Sequence, residues 1–153
     1  MKVKIKRFSE NLEKQTLVIS AFPGCGKSHM YRNNEDKIIL DSDSSKFDKS
    51  DFPRNYIEHI KSNIGKVDII MVSSHKEVRD ALVENGIDFT LVYPEPSIKE
   101  EYIQRYIDRG NDDNFIKLLQ SKWDEWMDEL EHQSNCEKIE LKEGQYLSDV
   151  ITN

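Results

Sequence analysis

The sequence predicts an α/β fold: one mostly parallel sheet with helices on both faces. Three observations carry that prediction. Short apolar runs at residues 17–19, 37–40, 67–72 and 89–93 have the length of buried strands. Amphipathic segments of helical period alternate with them, which is the pattern of strand–helix–strand units with right-handed crossovers. Glycine, proline and capping residues separate the two kinds of segment. A length of 153 residues suits one domain, 1–153, with a sizeable core.

Composition narrows the function. A third of the residues are charged and the net charge is −7. A binder of long nucleic acid usually shows a basic stripe, so this acidity argues against that class. It does not argue against holding a nucleotide, because a phosphate loop acts locally. Cys25 and Cys136 are the two cysteines, and they imply no disulfide framework. No apolar run is long enough to span a membrane, and Lys2 to Arg7 lacks the apolar centre of a signal peptide. The expectation is a cytoplasmic protein without a membrane partner.

Residues 1–14 are basic, then mixed. Val3, Ile5 and Phe8 alternate with polar residues, which fits either a short edge strand or a solvated tail. The first clear strand is 17–19. It breaks at Phe22-Pro23-Gly24, and Gly26-Lys27-Ser28 follows. This is the phosphate-loop pattern G-x-x-x-x-G-K-[ST], with Ala21 in place of its first glycine. Gly24 and Gly26 lack the Cβ atoms that would keep phosphate oxygens from the backbone N–H groups, and they permit positive φ. A helix opening near Lys27 turns its positive end to the same place. Lys27 can reach the β- and γ-phosphates, and the Ser28 hydroxyl can ligate Mg²⁺. The nucleotide-binding set is therefore Pro23, Gly24, Cys25, Gly26, Lys27, Ser28 and His29. Asn33-Asn34 should end a short first helix.

Asp41-Ser42-Asp43-Ser44 follows the second strand, where open α/β sheets place ligands. Two carboxylates two residues apart in an extended segment point the same way. Asp41 is assigned to the metal and Asp43 to the acceptor. A solvated turn is the alternative. Pro53 fits the first turn of the next helix, with Ile57, Ile60 and Ile64 as its apolar face and Gly65 as its stop. Arg54, at that helix start, is a candidate acceptor contact. Ser74 and Glu77 form a capping-box pattern after the third strand, and Arg79 lies one turn along, a second candidate for an acceptor phosphate.

Pro94-Glu95-Pro96 ends the fourth strand, and Ser97 and Glu100 spell a second capping box. Its helix carries Ile98, Tyr102, Ile103 and Tyr106 on one side, with Arg105 and Arg109 sharing a face. Gly110 stops it, and Asp112 or Asp113 can cap a long amphipathic helix whose Trp123 and Trp126 read as core. A polar glycine turn flanked by arginines suits a phosphate-closing lid around 105–114. Surface pairing of Arg105 with Glu101 is the alternative. Residues 138–141 read as a fifth strand and 145–151 as a closing helix.

On these residues the chain, from Thr16 onward, resembles the small P-loop kinases of the nucleoside monophosphate kinase and shikimate kinase type. Within that type it most resembles small nucleotide-kinase-like proteins encoded by bacteriophages and Gram-positive bacteria. The resemblance implies a P-loop NTPase fold with a five-stranded parallel sheet in the order 2-3-1-4-5, ATP with Mg²⁺, and a mobile helical lid. Asp41-Ser42-Asp43 is similar to the Asp-Ser-Asp of shikimate kinases. Ser73 stands where adenylate kinases carry an Asp, and Ser-Ser-His replaces the glycine triplet of shikimate kinases. The reaction expected is transfer of the ATP γ-phosphoryl group to a nucleoside or nucleoside monophosphate. Lys27, Asp41, Asp43, Arg105 and Arg109 would be the catalytic residues, Asp43, Arg54 and Arg79 the acceptor contacts, and Ser28 and Asp41 the metal ligands. A kinase of a polyol or of a nucleic-acid end, and a regulatory ATPase, are the rival readings.

Overall fold

The computed structural model describes residues 15–32 and 36–151. The expected strand within 1–14 and the Asn33-Asn34 stop lie outside them. The elements in chain order are β1 (Leu17–Ala21), α1 (Lys27–Arg32), β2 (Ile39–Asp41), a 3-10 turn (Ser44–Lys46), α2 (Arg54–Asn63), β3 (Ile69–Val72), α3 (Lys76–Glu84), β4 (Thr90–Pro94), a second 3-10 turn (Pro96–Ile98), α4 (Lys99–Asp108), α5 (Asp113–Glu131), β5 (Glu137–Leu141) and α6 (Leu147–Val150). All five strands pair in parallel, in the spatial order β2-β3-β1-β4-β5. This is the expected 2-3-1-4-5 order.

Every residue of β3 is buried, and β1 and β4 are buried after their first residue. Successive strand residues face opposite sides of a sheet, so such runs require cover on both faces. β5 lies at an edge and shows Glu137 and Lys138 to solvent, charges that discourage pairing with another chain. Trp123 is fully buried, edge-on to Phe22 with centroids 5.7 Å apart, and its indole N–H donates to the Pro96 carbonyl at 3.0 Å. The core reading of this tryptophan holds.

Several local expectations are corrected. Ile64 is 41% exposed and caps α2, while Tyr56 joins Ile57 and Ile60 on the buried face. The Ser74 capping box does not form. α3 begins one residue later than that box requires, and the Ser73 hydroxyl, not Ser74, accepts the His75 N–H at 3.1 Å. Ser97 does not cap α4 either, because Pro96 opens a 3-10 turn and the Ser97 hydroxyl bonds Glu95 at 2.6 Å. Asp112 does cap α5, accepting the Phe115 N–H at 2.8 Å. Among the described residues no helix is long and apolar enough to cross a membrane.

Because the strands are parallel, the loops that leave the carboxyl ends of β1, β2 and β3 emerge on one side. Those loops carry residues 22–26, 42–43 and 73–75, and they build the site.

Candidate functional site

The three loops line a cleft of about 750 Å³, within the size range of small-molecule sites. The loop after β1 turns sharply. Phe22 N–H donates to the Val92 carbonyl at 2.9 Å, and Cys25 N–H folds back onto the Phe22 carbonyl at 3.3 Å. Gly24 and Gly26 have φ of 94° and 98°, a region costly to any residue with a side chain. They are also crowded from outside: a Cβ on Gly24 would sit 3.0 Å from Tyr106, and one on Gly26 3.1 Å from Tyr146. The glycines thus serve both the turn and the close approach of α4 and the α6 entry.

That approach is bonded as well as packed. Tyr106 donates its hydroxyl to the Pro23 carbonyl at 2.8 Å. Arg105, 8% exposed, donates from Nη1 to the Gly24 carbonyl at 2.7 Å. Its Nη2 serves Glu101 at 2.6 Å and the Gln145 carbonyl at 3.0 Å. The guanidinium lies between the rings of Tyr102 and Tyr146, 4.3 and 3.8 Å from their centroids. The Cys25 carbonyl accepts Leu147 N–H at 2.8 Å. Burial pushes the Cys25 thiol up to about 11, so the sulfur stays protonated and serves as packing beside Tyr102.

Lys27 opens α1 and lines the cleft with Ser28 and His29. Burial pulls the Lys27 ammonium below its ordinary range, and Asp41 foremost, then Cys25 and Asp43, oppose that shift. Both carboxylates predicted from the sequence line the same cleft as the predicted lysine. Asp41 ends β2. Asp43 accepts the Ser45 hydroxyl at 2.7 Å and the Ser45 N–H at 2.9 Å, and these bonds hold its carboxyl below the usual carboxylate range. His75 also lines the cleft; burial, then Lys27 and other cations, push it down, so it is a neutral imidazole at neutral pH.

Tyr56 ties this side together. Its hydroxyl donates to the Ser42 carbonyl at 2.6 Å and accepts the Ser73 N–H at 3.1 Å, joining the ends of β2 and β3. The Ser42 hydroxyl pairs with His59 Nε2 at 2.8 Å, and the Ser20 hydroxyl donates to the Ser73 carbonyl at 2.9 Å.

The predicted arginines separate into three kinds. Arg105 is bonded into the loop and acts as its brace, where a free clamp on the phosphoryl group was expected. Arg109 is exposed, lies 5.6 Å from the Tyr106 ring centroid, and lines the cleft. Arg54 and Arg79 stand outside the cleft. Arg54 forks onto Asp51 at 3.0 and 2.6 Å and also meets Glu58. Arg79 is 3% exposed and reaches the Ser74 carbonyl, Gln133 and Glu129. The cause is local charge: Asp51 and Glu58 lie within one turn of Arg54, and α5 brings Glu129 over Arg79.

Sequence reasoning missed Tyr56, His59 and Tyr146. A tyrosine within an isoleucine face is the signal for the first, since a buried phenol needs a polar partner. No three metal-type side chains cluster among the described residues. Ser28 and Asp41, lining one cleft, fit a cation that takes its other ligands from phosphate and water, as Mg²⁺ does. Comparisons with protein-family models, curated proteins and solved structures find no match to this chain.

Proposed function

We propose that the chain is a P-loop nucleoside or nucleotide kinase, an ATP-dependent phosphotransferase that moves the γ-phosphoryl group of Mg-ATP to a small acceptor. The observation that carries this reading is the braced loop of Gly24 and Gly26, with Lys27, Ser28, Asp41 and Asp43 lining one cleft beside it. Phosphoryl transfer is mainly positioning and neutralisation of charge. The backbone N–H groups of Gly26, Lys27 and Ser28, at the start of α1, offer donors that a helix leaves without internal partners. Lys27 would meet the transferring phosphoryl oxygens, and Arg109, which lines the same cleft, would supply a second cation to them. Mg²⁺ on Ser28 and Asp41 would neutralise phosphate charge. The cytosol of a bacterium or of a phage-infected host, where ATP is abundant, suits this activity.

The test is ATP consumption with and without a panel of nucleosides and nucleotides, for the wild type and for Lys27→Ala. A kinase shows strong acceptor dependence, and loss of the lysine cuts turnover at least about a hundredfold, as for other single electrostatic stabilisers. Normal activity in a folded Lys27→Ala protein would refute the phosphate-cradle reading. Consumption that ignores every acceptor would mark a regulatory ATPase.

A further inference from the structure

Among the described residues, the loops after β2 and β3 bring no lysine or arginine to the cleft. Resting on the kinase reading above, we infer that the acceptor is an uncharged hydroxyl compound, such as the sugar of a nucleoside, and not a phosphate monoester. A monophosphate is a dianion near neutral pH and needs cations aimed at it. The two arginines best placed in sequence to supply them are committed elsewhere. Arg54 is held by Asp51 and Glu58, and Arg79 by Glu129, Gln133 and the Ser74 carbonyl. Lys46 and Lys49 stand near Asp43 and His75, but neither lines the cleft; the arginines that do, Arg32, Arg105 and Arg109, belong to α1 and to α4 with its C-cap, and not to the loops after β2 and β3.

What the carboxyl ends of β2 and β3 do present is Asp41, Asp43, several serines and a neutral His75. Two carboxylates repel a dianion, while carboxylate, hydroxyl and imidazole groups accept from and donate to alcohols. Asp43 is also oriented: Ser45 occupies its Oδ1 through two hydrogen bonds, and among the described residues no hydrogen bond engages Oδ2. The geometry thus assigns Asp43 to the acceptor hydroxyl and Asp41, at the end of β2 in the cleft that Ser28 lines, to the metal side. The acceptor oxygen forms a new bond to the γ-phosphorus as the bond to the β–γ bridging oxygen breaks. The hydroxyl proton passes to Asp43, and the nucleoside diphosphate leaves.

The experiment offers the protein Mg-ATP with adenosine, cytidine, thymidine and glycerol, and separately with the matching nucleoside monophosphates. Phosphorylated products are identified by mass spectrometry. Binding of each acceptor and of ATP is measured by calorimetry. Transfer to hydroxyl compounds is expected. Asp43→Asn should lower that transfer by about a hundredfold to ten-thousandfold, the usual range for a general base, with ATP binding unchanged. Lys49→Ala and Arg79→Ala should leave the acceptor KM unchanged in whatever folded protein they yield. Faster transfer to monophosphates than to any hydroxyl compound overturns this inference and leaves the kinase reading standing. ATP binding without transfer to either class overturns both. The wild-type panel decides between acceptor classes even where a variant does not fold.

Discussion

The two walls of the cleft are held in different ways. On the loop side, α4 and the α6 entry grip the backbone itself: Arg105 takes the Gly24 carbonyl, Tyr106 the Pro23 carbonyl, and Leu147 the Cys25 carbonyl. On the carboxylate side, Tyr56 bridges two strand ends and His59 holds Ser42, while Asp41 and Asp43 themselves remain at the surface of the cleft. The loop wall is held by the protein's own bonds, and under the proposed reading that is where electrostatic preorganisation is worth most. The other wall fixes the spacing of β2 and β3 and leaves its charged side chains at the surface of the cleft. Under the proposed kinase reading, donor geometry and acceptor choice are therefore separable by mutation.

The largest expected effect is on the loop wall. Arg105→Ala removes a buried cation from Glu101, two carbonyls and two rings, and loss of one partner of a buried pair costs about 3–5 kcal/mol. A chemical denaturation series should show that loss, and ATP affinity should fall with it. Arg109→Ala, four residues on but exposed, should leave the denaturation midpoint unchanged and lower kcat more than it raises KM. If both variants behave alike, the distinction between brace and clamp fails.

Tyr56→Phe is the matching test of the other wall. It keeps the ring and removes a hydroxyl with two partners, leaving Ser73 N–H without an acceptor, which costs about 1–3 kcal/mol. Acceptor KM should rise while ATP binding holds. An equal loss of both affinities would show that the walls are coupled. The smallest effect belongs to Arg54→Ala. Its pairs with Asp51 and Glu58 are exposed, so stability should change by at most about 1 kcal/mol, with kinetics unaltered. A strong rise in acceptor KM would return Arg54 to the cleft.

A fourth expectation concerns pH. His75 titrates below its unfolded value, so the folded chain binds fewer protons than the unfolded chain near that range. Stability from this group is present above the unfolded value of about 6.5 and is lost as pH falls through the lowered folded value. His75→Gln should flatten this part of a melting-temperature profile. A slope unchanged by the substitution would place the titration elsewhere.

Much of the loop wall was legible because its signals are local. Gly24 and Gly26 announce a backbone that needs positive φ, and the apolar run before them announces a buried strand. The carboxylate pair was legible for a similar reason, since two residues of extended chain place Asp41 and Asp43 on one side. Capping boxes were less reliable. Ser74 and Ser97 have the right spacing, but each helix start was decided by neighbours: the Ser73 hydroxyl in one case and Pro96 in the other. Ile64 fitted the helical period and still faces solvent, because α2 has already reached its end there.

By itself the sequence determined the α/β class, the turn after β1 and the placing of Asp41 and Asp43 on one side just beyond β2. Each depends on short-range geometry or on the period of burial. Only the tertiary structure decided which arginines are free. Arg79 meets Glu129 across 50 residues, and Arg105 meets Gly24 across 81. Helical spacing shows which face an arginine occupies but not which carboxylate or carbonyl the packed chain brings against it. A guanidinium with five donors, once drawn into the interior, takes whatever acceptors lie there, because leaving it unpaired would cost far more than any surface contact returns.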